Sequence, residues 1–133
     1  IEPVTPATRL EHARVVAAGF SELAEVPEEV FVSFSVVPHA LAYLARVDGV
    51  AAGGAGGRII AEAGIAALYG TATLPAYRRR GIQSALIARR LYEAAQHGCE
   101  YAVVSTQPGS GSQRNMERRG FRLAYTKLVM TRP

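Results

Sequence analysis

With 133 residues, the chain is long enough for one hydrophobic core and too short for two, so we expect a single domain over residues 1–133. A composition of 49% apolar and 20% charged residues excludes an intrinsically disordered chain, and no apolar run approaches the ~20 residues that span a bilayer. The formal net charge of +4 is modest for a nucleic-acid-binding protein, and the single cysteine excludes an internal disulfide framework, so we expect a cytoplasmic protein whose partners are neither nucleic acid nor membrane.

The first forty residues carry the weakest signals. The chain begins with Ile1 and not with methionine, so we expect either a shortened edge strand over residues 1–4 or a segment of a longer chain. Thr5 followed by Pro6 is typical of a helix start, and apolar residues at helical spacing up to Gly19 predict a first helix. A second, shorter helix is predicted over residues 27–34.

The middle of the chain is predicted to form three strands. Residues 41–47 and 50–60 flank Asp48-Gly49, a pair that favours a tight hairpin turn. The second strand contains the run AAGGAGG, which lacks the spacing of a dinucleotide-binding fingerprint, so its glycines indicate bulges or close packing against another backbone. The third strand is the apolar run from Ile65 to Leu74.

The strongest signal is the stretch YRRRGIQSALI, residues 77–87, in which three arginines and Gly81 separate that strand from a helix closed by Gly98. The first N–H groups of a helix have no intrahelical partners, and the helix dipole adds partial positive charge at the same end. Gly81 presents no side chain to a ligand that approaches the backbone. The sequence therefore predicts an anion site here, and the anion we expect is a diphosphate.

The remainder is predicted as a strand over residues 99–106, a helix from Ser112, its cap, to Arg119, and a final alternating strand from Phe121 to Met130. Cys99 is interpreted as a small buried apolar group. No pair of histidines has metal-ligand spacing, so each is interpreted as a surface or capping residue. These histidines are His12, His39 and His97.

Two motifs resemble those of one family. Arg78-x-x-Gly81-x-Gln83 is similar to the (Arg/Gln)-x-x-Gly-x-(Gly/Ala) signature of the GNAT superfamily of acyl-CoA-dependent N-acetyltransferases, whose turn binds the pyrophosphate of coenzyme A. Gln83 departs from this pattern and is compatible with it provided that its side chain turns outward. The segment SQRNMERRGF, residues 112–121, resembles the helix that closes these domains. The resemblance covers residues 40–130 and implies an α/β (α+β) fold with a mixed, mostly antiparallel central sheet, splayed in the middle and flanked by helices.

The resemblance implies acetyl-CoA as cosubstrate and a primary amine of a small molecule or protein as acceptor, bound where the strands around residues 72–74 and 104–106 fork. It implies a bulge at Gly70 and a Thr73 N–H that polarises the thioester carbonyl. A homodimer and a partner domain both stay open as further partners. The expected cofactor-binding residues are Thr71, Ala72, Thr73, Leu74, Arg78, Arg79, Arg80, Gly81, Ile82, Gln83, Ser84, Ser112 and Gln113.

The catalytic residues are less defined. Family members often carry a glutamate on the face of the strand where this chain has Tyr69, which is either the base or a core tyrosine. The family's tyrosine on the last helix corresponds to Met116, so either Ser112 or water replaces that acid, or transfer proceeds without one, or the domain does not catalyse. The favoured function is N-acetyl transfer; the alternative is a catalytically degenerate acyl-CoA-binding domain with a regulatory or structural role.

Overall fold

The fold was analysed in a computed structural model that describes residues 1–23 and 25–132. Within these ranges five strands form one sheet in chain order: β1 (Glu2–Pro3), β2 (Tyr43–Val47), β3 (Val50–Ile60), β4 (Ile65–Thr73) and β5 (Tyr101–Val104). The first three junctions are antiparallel and the last, between β4 and β5, is parallel. The helices are α1 (Arg9–Phe20), α2 (Glu28–Val32), α3 (Ile82–Gln96) and α4 (Gly111–Arg118). The predicted mixed, mostly antiparallel sheet flanked by helices is confirmed. None of the helices in the described ranges has the length and apolarity that crossing a bilayer requires.

Strand β3 is glycine-rich because helices approach it closely on both faces. A Cβ added to Gly53 would lie 3.0 Å from a methyl carbon of Ile82 in α3, whereas one added to Gly54 would lie 2.8 Å from a methyl carbon of Val16 in α1. Because neighbouring residues of a strand face opposite sides, α1 and α3 pack on opposite faces of the sheet. The glycines are closely packed as predicted, but the helices meet them with side chains and not with backbone.

Glycine has a different role in α1 from the predicted one. The helix begins at Arg9, after Thr8 as N-cap, and it continues through Gly19 to Phe20. A Cβ on Gly19 would lie 2.6 Å from that of Ala72, so this glycine lets α1 approach β4 and does not end the helix. The predicted start at Thr5 and stop at Gly19 are therefore wrong.

The start of α4 also differs from the prediction. Ser110, and not Ser112, is the N-cap, and its hydroxyl oxygen accepts a hydrogen bond from the Gln113 N–H at 3.1 Å. The pattern Ser-x-x-Gln that begins at Ser110 matches the sequence of a capping box, although the Gln113 side chain accepts from the Gly109 N–H and not from that of Ser110. The local chemistry therefore favours the earlier serine. Ser112 consequently lies inside the first turn of α4.

The predicted final strand from Phe121 to Met130 is absent: these residues make no strand pairing in the described part of the chain. Apolar side chains of both alternation phases are exposed there, including Leu123 at 71% and Leu128 at 90%. A strand's register is specified when one face alone is apolar, and this segment does not distinguish its two faces. The four-residue β5 also offers only a short edge for pairing.

His12 is fully buried, which overturns its interpretation as a surface or capping residue. Its Nε2 lies 3.1 Å from the carbonyl oxygen of Ala55, and its Nδ1 has no partner. A carbonyl oxygen only accepts, so Nε2 carries the proton and donates it, while Nδ1 is unprotonated. Protonating Nδ1 would place an unpartnered charged N–H in the core, and burial accordingly lowers the pKa of His12.

We expect the free energy of unfolding to fall in mild acid because of His12. The folded-state pKa lies below the unfolded value of about 6.5, so the unfolded chain binds the proton first as the pH falls. The contribution is intact above about pH 6.5 and is lost below it, with a slope of up to roughly 1.4 kcal/mol per pH unit. Urea unfolding between pH 5 and pH 8 measures this slope. His12→Gln should remove the component and the exposed-site control His97→Gln should keep it; an unchanged slope in His12→Gln would contradict the assignment.

Candidate functional site

The turn between β4 and α3 has the geometry of an anion site. A 3₁₀ turn, Pro75–Tyr77, is followed by Arg79 with a φ of 61° and by Gly81, the N-cap of α3, with a φ of 79°. A Cβ built on Gly81 would meet nothing within 4 Å, so the space beside the turn is open. The first backbone bond into α3 runs from the Ala85 N–H to the Gly81 carbonyl oxygen at 3.0 Å. The amides that precede it are therefore the ones available to a ligand; they belong to Ile82, Gln83 and Ser84.

The three arginines of the turn point to different places. Arg78 forms a 2.8 Å salt bridge with Glu22, and its Nε lies 3.4 Å from the carbonyl oxygen of Thr73, so its charge is matched by a carboxylate. Arg80 lies over the ring of Tyr77 at 5.8 Å, and both Arg79 and Arg80 are exposed. The unmatched positive field beside the turn therefore comes from Arg79, Arg80 and the helix dipole.

Gln83, the departure from the family signature, turns its side chain toward α4. Its Nε2 donates to the Ser112 hydroxyl at 3.5 Å, and its Oε1 accepts a short hydrogen bond from Asn115. The side chain therefore connects the start of α3 to α4. It points away from the turn, so the Gln83 backbone N–H stays available to a ligand there. The side-chain oxygen of Gln113 accepts a hydrogen bond from the Gly109 N–H at 2.7 Å, just before the start of α4.

The sheet forks as predicted. Pairing between β4 and β5 ends at Leu68 and Val104, although β4 continues to Thr73. Gly70 has a φ of 58°, and the register with β3 shifts beside it, so the predicted bulge is present. The Leu74 N–H donates to β3, so strand alternation points the Thr73 amide to the opposite edge, which β5 does not cover. Residues 71–74 thus present an unpaired edge at the fork.

A cleft of about 830 Å³ opens at this fork. Tyr69 and Gly70 line one side, residues 102–108 line another, and Gln113 and Met116 reach it from α4. The segment after α4 forms the remaining wall, including Phe121. The Gly81 turn does not line this cleft. The Gln83 side chain connects the turn to α4, and α4 lines the cleft. A second cavity of about 550 Å³, between α1 and the loop before α2, contains none of the predicted site residues.

The ionisable residues that line the cleft are Tyr69, Glu117, Arg122, Tyr125 and Lys127. The Tyr69 ring packs against Phe34 at 4.9 Å, and burial raises the pKa of its phenol against a smaller opposing effect of Arg58. The phenol is therefore protonated at pH 7 and suited to donating a hydrogen bond, not to removing a proton. Met116 is buried and has no proton to donate. The sequence reasoning missed Glu117, an exposed carboxylate of α4 that lines the cleft.

Arg90 was also missed. It is fully buried on the face of α3 that packs on the sheet, in register with Ile82, Leu86 and Ala94. These positions are spaced by four residues, so the helical periodicity already placed an arginine on the apolar face.

A model of the Acetyltransferase (GNAT) family matches residues 9–121. The chain therefore belongs to the GNAT acetyltransferase family. No curated protein matches it in sequence.

Solved structures with the same fold include two AAC(6') acetyltransferases and one ribosomal-protein N-acetyltransferase. AAC(6')-Iy, in complex with the bisubstrate analog CoA-S-monomethyl-acetylneamine, is 24% identical with a TM-score of 0.74 over 95% of this chain and 92% of its own. The aminoglycoside 6'-N-acetyltransferase AAC(6')-IG from Acinetobacter haemolyticus is 21% identical with a TM-score of 0.75, over 99% and 97%. The ribosomal-protein-S18-alanine N-acetyltransferase from Escherichia coli is 19% identical with a TM-score of 0.79, over 93% and 77%. At these identities the likeness concerns the fold.

Proposed function

We propose that this protein is an N-acetyltransferase that transfers an acetyl group from acetyl-CoA to a primary amine of a small molecule or protein. The observation that carries the proposal is the open amide turn at Gly81, joined through Gln83 to a helix that lines the forked cleft. Family membership and the CoA-derived ligand held by AAC(6')-Iy support it.

In this proposal the residues hold acetyl-CoA at three places. The amides of Ile82, Gln83 and Ser84 bind the diphosphate, with Arg79 and Arg80 adding positive charge. The unpaired edge of residues 71–74 bonds to the pantetheine amides as an added strand would. Ser112 and Gln113 flank the same arm from α4. The Thr73 N–H donates to the thioester carbonyl oxygen, where negative charge develops.

Acetyl transfer from acetyl-CoA to the amine balances in atoms and electrons without a further cofactor. The neutral amine nitrogen attacks the thioester carbonyl carbon, a C–N bond forms, and the C–S bond breaks with its electron pair leaving on sulfur. The proton of the attacking amine passes to water in the cleft. The thiolate, with a thiol pKa near 8.5, leaves without an obligatory acid, and in this proposal the protonated Tyr69 phenol donates a hydrogen bond to it. Among the described residues, Glu117 is the one carboxylate in the cleft lining and offers an acceptor ammonium a local partner beside the positive charges of Arg122 and Lys127.

An acceptor screen tests the proposal. Acetyl-CoA is incubated with a panel of small polyamines, aminoglycosides and peptides with free N-termini, and thiol release is followed. We expect release that depends on an acceptor and rises with pH toward the pKa of the acceptor amine, about 10 for an alkylamine and about 8 for a peptide N-terminus, because only the free amine attacks. The absence of acceptor-dependent release across the panel, with CoA binding intact, would contradict catalysis.

The same experiment decides the alternative of a degenerate acyl-CoA-binding domain. That alternative is favoured by the absence of a glutamate at Tyr69 and by the buried Met116 at the family's tyrosine position. It predicts that CoA raises the melting temperature without any thiol release. We favour transfer because water can replace both missing groups. Binding of CoA at the open turn is common to both functions.

A further inference from the structure

Arg90 is a buried cation without a carboxylate partner. Its exposed fraction is 0%, and none of the salt bridges within residues 1–23 and 25–132 includes it. Burial lowers the pKa of Arg90 to about 10, so the guanidinium still carries its charge at pH 7. Burying an unpaired charge costs free energy that an apolar residue at this position would not. The other buried residues of the same face, Ile82, Leu86 and Ala94, are apolar, so packing alone does not account for an arginine.

Its hydrogen bonds converge on one irregular point of the sheet. Nη1 donates to the carbonyl oxygen of Gly56 at 2.7 Å and lies 3.4 Å from that of Tyr69, so it reaches both β3 and β4. Nη2 donates to the Thr71 hydroxyl at 2.7 Å, and Nε to the Leu86 carbonyl oxygen at 3.0 Å. The planar guanidinium thus ties α3 to both strands at once.

This point is the bulge that opens the fork. Gly54 pairs with Ala72 and Gly56 with Tyr69, so one residue of β3 stands opposite Gly70 and Thr71 of β4. The β4–β5 pairing ends immediately before it, at Leu68. A bulge redirects the strand that carries it. The direction of residues 71–74, and hence of the Thr73 amide, therefore depends on the contacts that hold the bulge.

We propose that Arg90 is a positioning residue for acyl transfer, which fixes the β4 bulge so that the Thr73 amide faces the thioester carbonyl and keeps a buried positive charge behind that strand. This inference rests on the proposed function. A hydrogen-bond donor fixed before the reaction stabilises developing charge without reorganisation, and low polarity strengthens the effect of a nearby cation. Arg90 touches no substrate and acts through Thr71 and the backbone.

Replacing Arg90 by methionine tests this with acetyl-CoA labelled with carbon-13 at its carbonyl. We expect CoA affinity, measured by calorimetry, to change by less than about fivefold, because the diphosphate site at the Gly81 turn is untouched and the change reaches CoA only through the pantetheine contacts of residues 71–74. The bound carbonyl resonance should move toward its value in free acetyl-CoA, and acceptor-dependent thiol release should fall about 100-fold in kcat. Arg90→Lys should recover part of the wild-type carbonyl resonance and part of the wild-type kcat. The matched control is Arg89→Met, which removes a neighbouring arginine that packs on the Tyr43 ring and should keep the wild-type resonance. An unchanged resonance and kcat in Arg90→Met would overturn the inference.

Thr71→Val gives an independent test if Arg90→Met does not fold. It keeps the cation and the backbone but removes the hydroxyl that accepts from Nη2. We expect a shift of the carbonyl resonance in the same direction and about a tenfold loss of kcat. A folded Thr71→Val protein with a wild-type resonance and kcat would overturn the inference. Failure of the wild-type protein to bind CoA would instead contradict the proposed function.

Discussion

Replacing Gly81 by glutamate is expected to weaken CoA binding by at least about 100-fold, equivalent to roughly 2.8 kcal/mol. Two effects act together. Gly81 has a φ of 79°, a conformation that disfavours any side chain, and the added carboxylate would stand in the open space beside the N–H groups of α3. A negative charge there repels the diphosphate and competes with it for the same amides. Titration of CoA by calorimetry measures the loss.

Gly98→Glu is the matched control. Gly98 follows the other end of α3, has a φ of 76°, and would also place a new Cβ in open space. The substitution therefore adds comparable backbone strain and the same charge at a site distant along the helix. We expect both variants to lose stability, Gly98→Glu more because its carboxylate lies at the negative end of the α3 dipole, and only Gly81→Glu to lose CoA affinity. Equal CoA affinities in the two variants would show that the turn is not the diphosphate site.

Gly70→Ala is expected to destabilise the fold by about 3 kcal/mol, since two penalties add. An alanine at a φ of 58° costs roughly 1–2 kcal/mol in backbone strain, and the new Cβ would overlap the Phe34 ring, which costs another 1–3 kcal/mol. Urea unfolding at pH 7 gives the free energy.

Gly64→Ala separates the two penalties. Gly64 has a φ of 63°, but a Cβ there would meet nothing within 4 Å, so only the strain applies. We expect this variant to lose about 1–2 kcal/mol. Adding Phe34→Ala to Gly70→Ala should cost less than the sum of the two single losses, because the truncated side chain no longer overlaps the new Cβ. Equal losses in Gly70→Ala and Gly64→Ala would contradict the overlap.

Much of the fold was predictable because its signals are local. Strand β3 has the predicted bounds of Val50 and Ile60, and the hairpin before it follows from Asp48 and Gly49, both of which have positive φ. The α3 turn was predictable for the same reason: a glycine and arginines directly precede an amphipathic helix. The wrong predictions concern contacts between distant segments. Gly19 was predicted to end α1, but it lies inside the helix where α1 packs closely on Ala72. The alternation after Gly120 predicted a strand, but residues 121–130 make no strand pairing in the described part of the chain.

The candidate site shows the same difference between local features, which were predictable, and long-range contacts, which were not. The amino-acid sequence by itself determined the open turn at Gly81 that we propose as the diphosphate site, because the N–H groups, the dipole and the arginines lie within a few consecutive residues. Only the tertiary structure decided where the Gln83 side chain goes, that His12 is buried against β3, and that Arg90 hydrogen-bonds to Thr71 beside the bulge at Gly70. Each of these depends on partners 19 to 43 residues away along the chain, and no local pattern encodes such a distance.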